Sequence, residues 1–134
     1  MDGYALIAHA DPEVTGILTQ VFQAGALAYL VVRDGADAVA VLDERGAPQI
    51  LVTDLPLPRL DGIALTAHLR AMPEGKGVPV LVISADRAAR DRAGELRAML
   101  DIGAVLSSAA SSDSIRRVLE RLLPLSRRTG AFRT

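Results

Sequence analysis

Short apolar runs alternate along the chain with segments whose apolar residues recur at helical spacing. Tyr4 to Ala8 (YALIA) is unbroken and of strand length, as in a strand covered on both faces. Asp11 and Pro12 follow, an N-cap residue before a proline at the first helical position. Val14, Ile17, Leu18, Val21 and Phe22 then repeat at i, i+3, i+4, i+7 and i+8, which predicts one buried helix face, stopped by Gly25. Tyr29 to Val32 is a second strand, and Asp34 caps a weakly apolar helix from Ala36 to Leu42 that Gly46 and Pro48 break. Ile50 to Thr53 is a third strand ending at Asp54. The loop LPLPRLDG leads into a helix with Leu65, Leu69 and Met72 on one face, closed by Pro73. After a turn over Gly75 to Gly77, Val78 to Ile83 is the most strand-like segment, four of its six residues being Val or Ile. An Ala- and Arg-rich helix covers Arg87 to Leu100, and Ala104 to Leu106 is a short fifth strand. A last helix carries Ile115, Val118, Leu119, Leu122 and Leu123 at the same helical spacing. Five βα units with buried strands imply a parallel sheet with helices on both faces. We therefore expect one α/β domain over residues 1–123, with 124–134 as a basic tail or linker.

Composition narrows the field. A chain of 134 residues is one typical domain, and its 50% apolar content is too high for a disordered one. The absence of cysteine excludes a disulfide framework, a thiol nucleophile and a thiolate zinc site. No apolar run approaches the ~20 residues that span a bilayer, and no basic segment precedes the first apolar run, so we expect a soluble cytoplasmic domain without a membrane partner. A net charge of −1 argues against nucleic acid as the main partner. The basic residues are fourteen Arg and one Lys, so chemistry that needs a lysine must find it at Lys76.

In a doubly wound sheet, chemistry gathers beyond the carboxyl ends of the strands. The first strand delivers His9, Ala10 and Asp11 there, the third Asp54, the fourth Ser84 and Ala85, and the fifth Ser107 and Ser108. In ILVTDLPLPRLDG, Pro58 stands four residues after Asp54, and the Asp61-Gly62 pair closes the loop. With Ser84-Ala85 after strand four and Gly103-Ala104 before strand five, this pattern resembles the receiver domain of two-component response regulators, over about Tyr4 to Leu123. The resemblance implies a flavodoxin-like receiver fold: a doubly wound, five-stranded parallel sheet of order 2-1-3-4-5 with five helices. It also implies that Asp54 is the phosphoacceptor and Ser84 the switch hydroxyl. On the residues alone, the alternative for Asp54 is a strand-end or turn aspartate, and for Ser84 an ordinary residue after a strand.

The chain departs from the family at five positions, one of them Ala109, which aligns with a family proline. The acidic pair that holds Mg²⁺ in the family is replaced by His9 and Ala10, neither of which supplies the oxygen ligands a hard cation needs. Asp11 suits a helix cap better than a ligand. The family's lysine aligns with Ser108, and its aromatic switch residue with Val105. Phosphoryl transfer depends on positioning and on cations that neutralise the moving charge, so the chemistry looks degenerate and Mg²⁺ binding is expected to be weak or absent.

Other signals are weak. Gly75-Lys76-Gly77 precedes a strand, whereas a phosphate loop opens a helix. His68 reads as a solvated residue, and the arginines of the fourth helix as an ion-pair-laced solvated face. An aspartate-nucleophile phosphohydrolase would want an acid two residues after Asp54, where Pro56 stands, so we do not expect an enzyme. Two functions are weighed. One is an atypical receiver in phosphorelay-type signalling that takes a phosphoryl group on Asp54 from a histidine kinase or phosphotransfer protein. The other is a phosphorylation-independent pseudo-receiver acting as an interaction or dimerisation module. Either would serve a fused or separate output protein, through the face of the fourth helix, fifth strand and fifth helix. Val105, Leu106, Ile115, Val118 and Leu122 are its expected apolar residues. His9 and Asp54 should end side by side, with a protonated imidazole paired to the carboxylate or His9 turned outward.

Overall fold

A computed structural model describes residues 3–123. The 124–134 tail lies outside the described residues. The elements are β1 (Tyr4–Ala8), α1 (Pro12–Ala24), β2 (Ala28–Val32), α2 (Gly35–Arg45), β3 (Ile50–Thr53), α3 (Gly62–Ala71), β4 (Val80–Ser84), α4 (Arg87–Glu95), α5 (Arg97–Leu100), β5 (Ala104–Ser107) and α6 (Ser112–Leu122). A turn of 3-10 helix, Pro73–Gly75, joins α3 to β4. The sheet order is β2-β1-β3-β4-β5 and each neighbouring pair is parallel.

The unbroken apolar runs are explained by two cores, one on each face of the sheet. Successive strand residues point to opposite faces. Ala5, Ile7, Ile50, Val52, Leu81 and Ile83 pack under α1 and α6 against Leu18, Phe22, Ile115 and Leu119. Leu6, Ala8, Leu51, Val80 and Val82 pack on the other face against Leu42, Leu65, Leu69 and Ala93. Each fully buried Leu, Ile or Phe contributes about 1.5–3 kcal/mol relative to an exposed one, so both layers hold the sheet between them.

Helix number and some boundaries differ from the sequence reading. The expected fourth helix is two, which makes six α-helices among the described residues. Gly94 supplies the weak point. At Leu96 the backbone leaves the helical well (φ −94°, ψ 2°), and α5 is a single turn ended by the left-handed Asp101. Arg97 then holds this turn over the following loop by donating to the carbonyls of Ile102 (3.1 Å) and Gly103 (2.7 Å). Strand β4 starts at Val80 rather than Val78, because Pro79 has no N–H for a ladder, though its carbonyl still accepts from Leu51 N at 3.0 Å. Ile115 and Val118 are buried in the α6 core layer, not on a free face.

Candidate functional site

Strand β1 lies between β2 and β3, so the chain leaves it in opposite directions on its two sides. The crevice at the switch point opens between the carboxyl ends of β1 and β3. Two backbone bonds carry the ladders one residue past the strands: His9 N donates to Val32 O and Asp54 N to Ala8 O, each at 3.0 Å. His9 and Asp54 therefore stand on adjacent strand ends.

Asp54 is held by its own loop. Its Oδ1 accepts the Leu55 N–H at 2.8 Å, and its side chain is 17% exposed. Among the described residues its Oδ2 accepts no hydrogen bond; the nearest charged-group contact is His9 Nε2 at 3.6 Å. The Asp61-Gly62 pair has a structural cause. Asp61 caps α3 by accepting the Ala64 N–H at 2.8 Å. Gly62 N donates to Leu55 O at 2.8 Å, and a Cβ at Gly62 would overlap the Asp54 carbonyl oxygen. A side chain there would displace the residue at the centre of the crevice.

His9 is buried and turned inward, with both ring nitrogens engaged. Nε2 donates to the Ile83 carbonyl at 2.8 Å, and Nδ1 accepts the Asp11 N–H at 3.2 Å. That is the bonding of a neutral imidazole carrying its proton on Nε2. The expected imidazolium–carboxylate pair is thus corrected: the two residues are adjacent, but the proton is spent on Ile83. Nor does His9 turn outward. Asp11 caps α1, its Oδ1 accepting from Glu13 N at 2.9 Å.

Ser84 ends β4 opposite Ser107 of β5, and its hydroxyl oxygen accepts the Asp86 N–H at 3.2 Å. Its carbonyl accepts twice, from Ser108 N at 3.2 Å and from Arg90 Nη1 at 2.9 Å. Nothing in the sequence marked Arg90, because a carbonyl partner leaves no trace in residue type. The same holds for Arg59, three residues before Gly62. It donates from Nε to Asp34 at 2.8 Å and from Nη2 to Asp37 at 3.0 Å, tying the β3–α3 loop to the start of α2. The Arg59 hydrogen bond, followed by the Asp37 N–H, holds the Asp34 carboxyl below its ordinary range. Arg59 itself has φ +67°, in a tight turn where Leu60 N returns to Pro58 O at 2.7 Å. Gly35 N reaches the same Pro58 oxygen, and a Cβ at Gly35 would overlap the Leu60 carbonyl.

Two further readings are corrected. His68 is not merely solvated, since its Nε2 lies 2.9 Å from Asp43 Oδ1 on α2. The α4–α5 arginines Arg90 and Arg97 reach carbonyls, not carboxylates.

The family model for the response regulator receiver domain matches residues 5–106. The chain belongs to this family. Among solved structures, the fold of this receiver domain is similar to that of the chemotaxis response regulator CheY4 of Vibrio cholerae, with a TM-score of 0.76 at 15% identity over 92% of this chain and all of that one. It is also similar to the receiver domain of the sensor histidine kinase PA1611 of Pseudomonas aeruginosa, solved with a magnesium ion in its active-site cleft. That match has a TM-score of 0.73 at 24% identity over 91% of this chain and 98% of the other. In sequence, the probable transcriptional regulatory protein TcrX of Mycobacterium tuberculosis is 36% identical over 97 residues, 72% of this chain and 38% of that protein. An uncharacterised 14.6 kDa protein of Leptolyngbya boryana is 28% identical over 92 residues, 69% of this chain and 70% of its own. This receiver domain thus spans about two-fifths of the length of TcrX. Receiver domains are signalling modules that work with histidine kinases or phosphotransfer proteins. No helix among the described residues is long and apolar enough to cross a membrane.

The donor set at the strand ends does not fit a Mg²⁺ ion. Such an ion demands near-octahedral oxygen ligation, usually with one or two carboxylates beside its waters. The crevice presents the Asp54 carboxylate, while the His9 nitrogens are taken, Ala10 offers a methyl group and the Asp11 carboxylate caps α1.

Proposed function

We propose that this chain is an atypical receiver domain of cytoplasmic phosphorelay-type signalling in which Asp54 is the phosphoacceptor. The observation that carries the reading is the carboxylate itself. It stands at the switch-point crevice, fixed through Oδ1 by the Leu55 amide, with Oδ2 accepting no hydrogen bond among the described residues. A nucleophile needs such a positioned, unoccupied lone pair. In the transfer, Oδ2 attacks the phosphorus of a phosphohistidine on a kinase or phosphotransfer protein. A P–O bond forms and the P–N bond breaks. The donor's imidazole leaves with the electron pair and takes a proton from water. Ser84 is the switch hydroxyl: its Oγ already accepts from Asp86 N, which leaves its own proton free to meet a phosphoryl oxygen.

Val105 and Ser108 stand where the family carries its aromatic and its lysine, and His9 and Ala10 where it carries the acidic pair. The domain therefore works without a resident divalent cation. Its output face is α4, β5 and α6, where Val105, Leu106 and Leu122 are half-buried, and it engages a partner output protein or a second copy there. Intact-mass analysis after incubation with acetyl phosphate tests the reading. Wild type should gain one phosphoryl group and Asp54→Asn none. A wild type that gains none would support the alternative, a phosphorylation-independent interaction module, which the commitment of both His9 nitrogens favours.

A further inference from the structure

We propose that Arg90 is the cation of the Asp54 site, pairing its guanidinium with the phosphoryl group that Asp54 carries; this rests on Asp54 being the phosphoacceptor. A phosphoryl group carries about −1.5 to −2 charges at neutral pH, and a site that neither bears a lysine nor fits a divalent ion must meet that charge otherwise. The one lysine of the chain, Lys76, lies before β4, with its Nζ on the Arg70 carbonyl at 3.3 Å. Arg59 flanks the crevice but is held by two carboxylates, Asp34 and Asp37.

Arg90 differs from both. It projects from α4 and donates from Nη1 to Ser84 O, the oxygen that also accepts the Ser108 amide. The guanidinium therefore comes to the joint between the ends of β4 and β5, beside Ser108, where the family's lysine would stand. It is half-buried, and among the described residues Nη1 alone of its donors is hydrogen-bonded. Arg97 and Arg70, by contrast, spend two and three nitrogens on carbonyls. A planar guanidinium with one nitrogen anchored and the others open is suited to two-point recognition of phosphoryl oxygens. Because Arg90 sits in the first turn of α4, the pairing also draws that helix toward the strand ends, so the output face feels the charge on Asp54.

The test is a time course of phosphorylation by acetyl phosphate in EDTA, followed by intact mass. It uses the full chain as wild type, Arg90→Ala, Arg90→Lys, Arg87→Ala and Asp54→Asn. Arg87 is an exposed arginine of the same helix and controls for net charge. Arg90→Ala should react at least about tenfold more slowly than Arg87→Ala, a floor below the roughly 10²–10³-fold loss seen when one positioned donor is removed from a developing charge. Arg90→Lys should recover part of the rate. In wild type, beryllofluoride should shift the Arg90 Nε–H resonance, a response that a purely structural arginine on the Ser84 carbonyl would not give. Equal rates for Arg90→Ala and Arg87→Ala would overturn the assignment of Arg90 alone. A wild type that takes up nothing would overturn the reading of Asp54 and this one with it.

Discussion

His9 Nε2 lies 3.6 Å from Asp54 Oδ2 but gives its proton to the Ile83 carbonyl at 2.8 Å. This choice decides the character of the site. The neutral imidazole is a strut that joins β1 to β4 across β3 and leaves Asp54 Oδ2 without a hydrogen bond.

The strut should be visible in solution. Long-range ¹H–¹⁵N spectra at neutral pH should show His9 as the Nε2–H tautomer, unchanged in Asp54→Asn. His9→Ala orphans the Ile83 carbonyl and the Asp11 amide, and should lower stability by about 1–3 kcal/mol in urea unfolding. A doubly protonated ring, or a variant as stable as wild type, would remove the strut.

The Asp34–Arg59 clamp has a pH signature. The Asp34 carboxyl is held below its ordinary range by the Arg59 hydrogen bond and then the Asp37 amide. A depressed carboxylate stabilises the fold above its unfolded pKa of ~3.9, and that contribution is lost as pH falls through the lower folded value. In Arg59→Ala, the Asp34 titration followed by carboxyl NMR should move back up toward the ordinary range. The stability gap between wild type and variant, present at neutral pH, should close in acid. An unmoved Asp34 titration would show that the clamp does not form in solution.

Arg70 is the corresponding fastener at the far end of the sheet. It reaches Leu100 O from Nε (2.9 Å), Gly75 O from Nη1 (2.6 Å) and Asp101 O from Nη2 (2.8 Å), joining α3 to the end of α5. Lysine has one nitrogen and cannot serve three divergent carbonyls. Arg70→Lys should therefore cost nearly as much as Arg70→Ala, about 2–3 kcal/mol by thermal or urea unfolding. Full retention of stability in the lysine variant would contradict this.

Much of the fold was legible because its causes are local. Tyr4 to Ala8 and Ile50 to Thr53 are strands as the unbroken apolar runs predict, and Asp11, Asp34 and Asp61 cap the helices that follow them. The break at Leu96 was not legible, since one glycine does not by itself end a helix and the turn that follows is held by Arg97 on two carbonyls beyond it. The crevice was legible as a set of strand ends: His9 and Asp54 stand side by side, and Ser84 ends β4. What each side chain does there was not: His9 was expected to pair with Asp54 or to turn outward, whereas a better acceptor lay at Ile83, 74 residues away in the chain. Arg59 and Arg90 escaped notice because a long side chain chooses its partner by geometry across loops.

The most direct test of a phosphoacceptor that works without a divalent cation is the extent of Asp54 phosphorylation by acetyl phosphate in Mg²⁺ and in EDTA. Intact mass would measure it, and peptide mapping would locate the group. The account predicts one phosphoryl group, on Asp54, to a similar extent in both conditions. Phosphorylation that appears only with Mg²⁺, or on another residue, or in neither condition, would contradict it.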